Sequence, residues 1–336
     1  MSITAVLGEG ASTSPAAPRT RKRSRAHWVL LGPGLLYLIL LFVVPVGALL
    51  ATSLYVPVPG GDIGQYQPAL HWQIYPEVVA QFWPVILRSF WFALLATVAA
   101  LVIGYPMAYA IAVRARGRKL LQGMLLVLVV APFFTSFILR TIAWKQILAD
   151  DSLVVSVLHW LNLLPEDARL TATPFAVVCG LTYNFLPFMV LPIFAALERL
   201  DSRLLEAGAD LYASPATTFR TVTWPLSMPG VVAGTLLVFI PAAGDYVNAS
   251  LLGNNTNTTM IGQVIDARFF KVLDYPTAAS LSVVLMVAIL VLVGAYIRRS
   301  GTEDLLCRRS STGRASPRRC RRRSVRRVAR AAASET

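Results

Sequence analysis

Six stretches of this chain contain no Asp, Glu, Lys or Arg over twenty or more residues: Trp28–Gly61, Ser89–Val113, Leu120–Leu139, Leu170–Leu197, Thr221–Gly244 and Tyr275–Ile297. A helix needs about 20 mostly apolar residues to cross a hydrocarbon layer about 30 Å thick. Unpaired backbone groups are not tolerated in lipid, so only helices and closed barrels span it. Barrel strands alternate polar and apolar positions, and runs such as Leu35–Val44 do not. The pattern predicts an all-α integral membrane protein with six transmembrane helices. Their expected extents are Trp28–Ser53, Ser89–Val113, Leu120–Thr141, Thr173–Leu197, a fifth starting near Ser227–Val231, and Pro276–Ile297. Between them, Leu54–Arg88 reads as a long outer segment, and its Tyr55, Tyr66, Trp72, Tyr75 and Trp83 suit an interface belt or a packed outer cap. The apolar piece Leu153–Leu164 is too short to span and reads as a re-entrant or interfacial helix.

Punctuation refines the spans. Thr173-Pro174 is a capping residue followed by Pro in the first helical turn. Five of the six spans hold an internal Pro: Pro45, Pro106, Pro132, Pro187 with Pro192, and Pro241. Each removes a backbone hydrogen bond. That suits a transporter with broken helices, although Pro is also simply commoner in membrane helices.

Charge then orients the chain. Only 14% of residues are charged, against about 25% in soluble domains, yet the net charge is +14. The amino-terminal arm holds Arg19, Arg21, Lys22, Arg23 and Arg25, and the second-to-third connection holds Arg114, Arg116, Arg118 and Lys119. Arg199, Arg203 and Arg220 lie in the fourth-to-fifth connection, and 13 more basic residues follow from Arg298 onward. By the positive-inside rule this is the cytoplasmic side, with both termini on it. Residues 29–297 hold 13 basic and 13 acidic residues, so the excess sits in the two flanks. A nucleic-acid binder would spread its basic residues over a polar surface, and that reading is excluded. The domain plan is a basic, disordered arm (1–27), a six-helix transmembrane domain (28–297) with a cytoplasmic loop at 198–230, and a basic, disordered tail (298–336). The first span is too long for a signal peptide and lacks a small-residue cleavage site, so it reads as retained.

Catalytic chemistry finds little support. Cys179, Cys307 and Cys320 have no metal-ligand spacing and imply no disulfide framework. There is no G-x-x-x-x-G-K-[ST] phosphate loop, no H-E-x-x-H and no G-x-S-x-G. No metal site and no catalytic residue are expected.

The informative segment is Glu198–Gly230, ERLDSRLLEAGADLYASPATTFRTVTWPLSMPG. Leu200, Leu204, Leu205, Leu211 and Tyr212 fall roughly on one helical face, while Glu206 and Asp210, four apart, share another. Ser214-Pro215 ends one helix and begins the next, with Ser as cap and Pro in the first turn. The result is a helix–turn–helix elbow or, on amphipathicity alone, a plain interfacial connector.

The residues of this loop resemble the signature loop of permease subunits of type I ABC importers: Glu-Ala-Ala, three residues, Gly, nine residues, Ile, one residue, Leu-Pro. Glu206, Ala207 and Pro225 match, and Val222 is a mild change at the Ile position. Gly208, Tyr212 and Trp224 depart, Tyr212 most seriously, because a Gly there allows close approach or a left-handed turn. Leu139–Trp144, Phe239–Val247, Leu251–Gly253 and Thr259–Gly262 further resemble the spermidine/putrescine branch of that family, and the likeness covers roughly 28–306.

The resemblance implies a bacterial, multi-pass plasma-membrane subunit that binds no cofactor, with ATP and Mg held by a separate ATPase. The expected partners are an ABC ATPase subunit dimer, a second and different permease subunit, an extracytoplasmic solute-binding protein and the lipid bilayer, with no nucleic acid. The coupling loop would comprise Glu206, Ala207, Gly208, Asp210, Leu211, Tyr212, Pro215, Val222 and Pro225, with Glu206 facing a basic residue of the ATPase. Pro215 and Pro225 would stiffen it by fixing φ. Asp245 in the fifth span, with Tyr246, Tyr183 and Trp144, is a candidate lining for a polycation. The alternative puts Asp245 at the water interface as a helix-end residue. Three Asn-x-Ser/Thr triplets at Asn248, Asn254 and Asn257 read as a polar outer loop.

Competing readings are the same machine moving another amine, an organic acid or a metal complex, an ion-coupled secondary transporter, and a membrane enzyme. An ion-coupled carrier has no use for a docking elbow, and an enzyme would need clustered His, Asp or Cys near one face. Beyond Leu306 the Arg-, Ser- and Ala-rich sequence is either a lipid- or partner-binding tail or a shifted reading frame.

Overall fold

The structure is a computed structural model that describes residues 26–161, 165, 169–253 and 255–299. The basic arm before Ala26, residues 162–164 at the end of the predicted short helix, Asn254 and the tail with Cys307 and Cys320 lie outside the described residues. Contacts divide the chain into two units, one ending at Ala48 and the other beginning at Leu49.

The described part of the first unit is helical, within α1 (Ala26–Thr52). Leu36, Tyr37, Leu38, Ile39, Leu40 and Phe42 are exposed in near succession. A helix apolar all round suits a membrane span.

The second unit opens with an outer cap. Two short antiparallel strands, β1 (Val56–Pro57) and β2 (Tyr66–Gln67), pair Val56 with Gln67. α2 then runs over Ile74–Tyr109 and continues through a π turn at Ala110–Arg114. It starts fifteen residues before the expected Ser89. Charges at Glu77 and Arg88 end the uncharged run but not the helix. Ile74, Val78 and Ile86 recur at helical spacing and are buried with Ile261 and Leu281. The uncharged run therefore marks lipid thickness, while apolar periodicity marks the helix. The cap's aromatics divide as well: the Tyr66 hydroxyl donates to the Leu273 carbonyl (3.0 Å), whereas Trp72 and Trp83 are exposed.

The third expected span is broken. α3 (Lys119–Val130) passes into a 3-10 turn at Ala131–Phe134, and α4 (Phe137–Ile147) leaves at 95° to it. Pro132 opens that turn, and Thr135 and Ser136 are extended at ψ 157° and 135°. Among the described residues there are five helices long and apolar enough to cross a membrane, or six with this bent pair counted as one. α5 (Leu153–Trp160) is the short helix predicted there, capped by Ser152, whose hydroxyl accepts from the Val155 N–H (3.1 Å).

α6 (Pro174–Glu198) starts as its sequence predicts, with the Thr173 hydroxyl accepting from the Ala176 N–H (3.2 Å) and Pro174 in the first turn. The loop supplies α7 (Ser202–Asp210) and α8 (Pro215–Thr218), and a π turn at Phe219–Thr223 leads without a break into α9 (Trp224–Ala243). A further π turn (Ala249–Gly253), α10 (Ile261–Phe270) and α11 (Tyr275–Arg299) complete the described chain. α2, α6 and α9 form the core around Ala96, Ala100, Leu181, Met189, Ile193 and Val238. α9 lies so close to α6 that a Cβ on Gly230 would meet the Pro192 carbonyl oxygen at 2.6 Å and Ala196 Cβ at 2.7 Å. Small residues at such seams let membrane helices gain dispersion contacts that lipid tails cannot match.

Candidate functional site

The elbow is anchored at the end of α6. Arg116 Nη2 donates to the carbonyls of Leu197 (3.3 Å), Glu198 (3.2 Å) and Leu200 (2.7 Å). A helix leaves its last four carbonyls unpartnered. A guanidinium there satisfies them and meets the negative end of the helix dipole. One of the residues that orients the chain by charge thus also fixes where the loop departs.

Within the loop, the Arg203 N–H donates to Asp201 Oδ1 (3.0 Å), and α7 closes with N–H bonds from Leu211 to Ala207 (3.1 Å) and from Ala213 to Gly208 (3.0 Å). Tyr212 stands at φ 56°, in the left-handed region. The turn for which a Gly is suited is therefore present, and a tyrosine adopts it at a cost of roughly 1–2 kcal/mol. The second departure, Gly208, also acquires a reason: a Cβ there would sit 3.0 Å from Thr218 Oγ1, so α7 packs tightly on α8. Ser214 caps α8 as predicted, its hydroxyl accepting from the Thr217 N–H (3.2 Å), with Pro215 first in the helix.

Glu206, Ala207, Asp210, Leu211, Tyr212, Pro215 and Pro225 are exposed, while Gly208 and Val222 are half-buried. The expected single apolar face is split. Leu200 is buried in the core, whereas Leu204, Leu211 and Tyr212 point away from it. Glu206 makes no ion pair among the described residues.

The third departure, Trp224, belongs to an aromatic clasp. Tyr105 meets Trp224 at 5.2 Å and Phe219 at 5.7 Å between ring centroids, and Tyr109 meets Phe219 at 5.9 Å. The hydroxyls of Tyr105 and Ser227 share a buried 2.8 Å hydrogen bond. The clasp joins the last turns of α2, just before its π turn, to the π turn at Phe219–Thr223 and the first turn of α9, close to the elbow. In the sequence an aromatic within an apolar run carries no mark of its contacts, and Tyr105, Tyr109, Phe219 and Trp224 all lie in or beside such runs.

A second site lies beyond the far end of α9. Asp245 is buried, and its Oδ1 accepts from the Asn248 N–H at 2.7 Å. Asn248 is also buried rather than in a polar outer loop, so it is no surface acceptor. Its Oδ1 accepts from Asn184 Nδ2 (3.0 Å) and Thr141 Oγ1 (3.3 Å), and Asn184 Nδ2 also reaches Thr141 Oγ1 (3.1 Å). α4, α6 and the turn after α9 thus meet in one polar cluster. It is not saturated: Asn184 Oδ1 and Asn248 Nδ2 have no partner among the described residues, nor do Nε and Nη1 of buried Arg140, whose guanidinium lies over Phe133 (5.7 Å) and Phe137 (5.6 Å). Trp144 and Tyr183, from the same two helices, meet edge to face at 5.5 Å. Of the four expected lining residues, Trp144 and Tyr183 are in contact and Asp245 joins their helices through Asn248. Tyr246 is half exposed and makes no ring contact among the described residues. Asp245 is buried and lies two residues beyond Ala243, the last residue of α9. Thr141, Asn184 and Asn248 were missed, although an Asn inside an uncharged span is itself a signal for interhelical bonding. No group of three or more His, Cys, Asp or Glu that could hold a metal occurs among the described residues.

An apolar helical bundle with a capped elbow at one end and a buried polar cluster at the other defines a membrane transport subunit. The family of binding-protein-dependent transport system inner membrane components matches residues 100–300, and the chain belongs to that family. It is a multi-pass cell-membrane protein with the fold of ABC importer permeases. It is 38% identical over 208 residues to the spermidine/putrescine transport system permease protein PotB of Escherichia coli K12, covering 62% of this chain and 74% of that one. The PotB of Haemophilus influenzae is 37% identical over 204 residues, covering 61% and 70%. Among solved structures, a bacterial ABC transporter that imports the acidic polysaccharide alginate superposes with a TM-score of 0.63 at 16% identity, over 83% of this chain and 96% of that one.

Proposed function

We propose that the chain is the permease subunit of a type I ABC importer that moves polyamines of the spermidine/putrescine class inward. It hydrolyses no ATP itself. A separate ATPase dimer, holding ATP and Mg, docks on the elbow; a second, different permease subunit completes the path, and an extracytoplasmic solute-binding protein delivers the solute. The observation that carries this reading is the elbow, a stiff, capped structure on which the exposed side chains of Glu206, Asp210, Leu211 and Tyr212 find no ion-pair or hydrogen-bond partner among the described residues. The names of its relatives support the polyamine.

The mechanism follows from continuity. Closure of the ATPase pair pushes on α7. Gly208 against Thr218 and the Ser214 cap pass that push to α8 without slack. α8 runs unbroken into α9, whose other end leads to Asp245. The clasp shares the movement with α2, and Arg116 shares it with α6. Beyond the far end of α9, a buried carboxylate linked through Asn248 to the helices that carry the Trp144–Tyr183 pair suits an ammonium chain, which aromatic faces attract.

The test is reconstitution with the ATPase, second permease and binding protein, scored by labelled spermidine uptake and solute-stimulated ATP hydrolysis. Wild type is expected to show both. Glu206→Ala is expected to lose ATPase association, and Asp245→Asn to lower uptake with association intact. Wild-type activity in Glu206→Ala removes the coupling reading, and unchanged uptake in Asp245→Asn removes the lining.

A further inference from the structure

Tyr212 is the least economical residue of the elbow. Its backbone takes a left-handed conformation that a bulky side chain adopts rarely and glycine adopts freely. Nothing among the described residues compensates for it. The side chain is 98% exposed, the Leu211 side chain before it is 81% exposed, and Tyr212 makes no hydrogen bond or ring contact among the described residues. The turn itself is held by other groups: the Ala213-to-Gly208 backbone bond, the Ser214 cap and the packing of Gly208 on Thr218. A residue held in an unfavourable conformation by its surroundings, with no role in the fold, points to a function outside the fold.

We propose that Tyr212, seconded by Leu211, is the aromatic anchor by which this elbow selects its ATPase subunit: the ring enters an apolar pocket in the ATPase groove. The inference rests on the reading of 198–230 as the ATPase-docking elbow. Exposed aromatics on a rigid apex are the residues that most often dominate protein interfaces, because they bury a large area and lose little side-chain entropy. The flanking charges fit the same occupant. Glu206 and Asp210 are exposed on α7, so an apolar pocket with a basic rim complements the apex. An elbow with Gly at this position demands no such cavity. The ring therefore sets which ATPase fits, while the backbone shape stays common to both kinds of elbow.

The test separates ring from turn. Tyr212→Gly relieves the backbone and removes the ring, Tyr212→Asn keeps a residue that tolerates the left-handed region, and Tyr212→Phe keeps the ring. Each full-length variant, solubilised with its second permease, is titrated with the purified ATPase that gives solute-stimulated hydrolysis with wild type; thermal stability is measured without ATPase. Tyr212→Gly and Tyr212→Asn are expected to be at least as stable as wild type yet to bind at least about tenfold more weakly. Tyr212→Phe is expected to bind within about threefold of wild type. Undiminished binding by Tyr212→Gly overturns the proposal, as does a parallel fall in stability and binding, which would place the ring in the fold. Glu206→Ala in the same titration keeps the two readings apart. If Glu206→Ala binds weakly while Tyr212→Gly binds normally, only the anchor fails; if both bind normally, the docking reading fails.

Discussion

At one end of α9 the elbow has its backbone and capping groups paired and its apolar groups uncovered: Ser214, Arg116 and the closing amides of α7 are bonded, while Leu211 and Tyr212 face outward. Beyond the other end, the surroundings of Asn248 are packed and its polar groups are left open, with Asn184 Oδ1, Asn248 Nδ2 and two Arg140 nitrogens unpartnered among the described residues. Each region lacks what the other has. Exposed apolar surface on a rigid support is completed by a protein surface. Buried unpaired donors and acceptors are costly, and they are completed by a polar ligand, by water or by a rearrangement of the helices that carry them. A docking site and a passage are told apart here by which kind of group is left unsatisfied.

The contrast breaks most severely if the rod between the regions is displaced. Gly230→Val drives a branched side chain against the Pro192 carbonyl and Ala196. Overpacking of this kind costs about 1–3 kcal/mol in a tight core, and backbone is the obstacle here. The expected result is loss of both ATPase association and uptake, with a lowered melting temperature in detergent. Asn184→Leu is the next largest and acts on one end only. It removes the donor that serves both Asn248 and Thr141, a change of about 2 kcal/mol. Uptake should fall at least about tenfold while ATPase titration stays at wild type; a matching loss of ATPase binding would join the two regions into one. Arg116→Ala acts on the other end. It frees three carbonyls at the close of α6, and hydrogen exchange across α7 should rise while amides beside Asn184 keep their protection. The site is partly exposed, so global stability should change by no more than about 1 kcal/mol.

The sequence made the elbow more legible than the cluster. Ser214-Pro215 and Thr173-Pro174 are local signals, and both caps form as their neighbours dictate. The left-handed turn was legible too, through the position that a Gly would suit, although the Tyr there hid that it forms. The bend at Pro132 was harder. A Pro within an apolar run kinks a helix or breaks it, and the outcome depends on what packs beside Phe133 and Phe137. The cluster was least legible, because Thr141, Asn184 and Asn248 lie far apart in the chain and meet only through the return of the segment after α9. Even the start of α2 was misjudged for a physical reason: lipid reads charge, whereas the outer cap reads periodicity.

The smallest expected effect is the most specific test of stiffness. Ser214→Ala removes the hydroxyl that accepts from the Thr217 N–H, and cap losses cost about 1 kcal/mol. α8 is continuous with α9, and α9 is held in the bundle, so the melting temperature should barely move. The free Thr217 amide loosens only the first turn, the joint at which a push from α7 is received. Solute-stimulated ATP hydrolysis should fall about two- to fivefold, which is about 0.4–1 kcal/mol by the usual conversion, with ATPase affinity unchanged because Glu206, Leu211 and Tyr212 remain presented. Ser214→Asp keeps an acceptor at the cap and adds favourable charge at a helix N-terminus, and it should restore coupling. If Ser214→Ala couples as well as wild type, the push does not pass through α8, and the elbow is a docking surface alone while the clasp at Tyr105 and Trp224 carries the movement to the bundle.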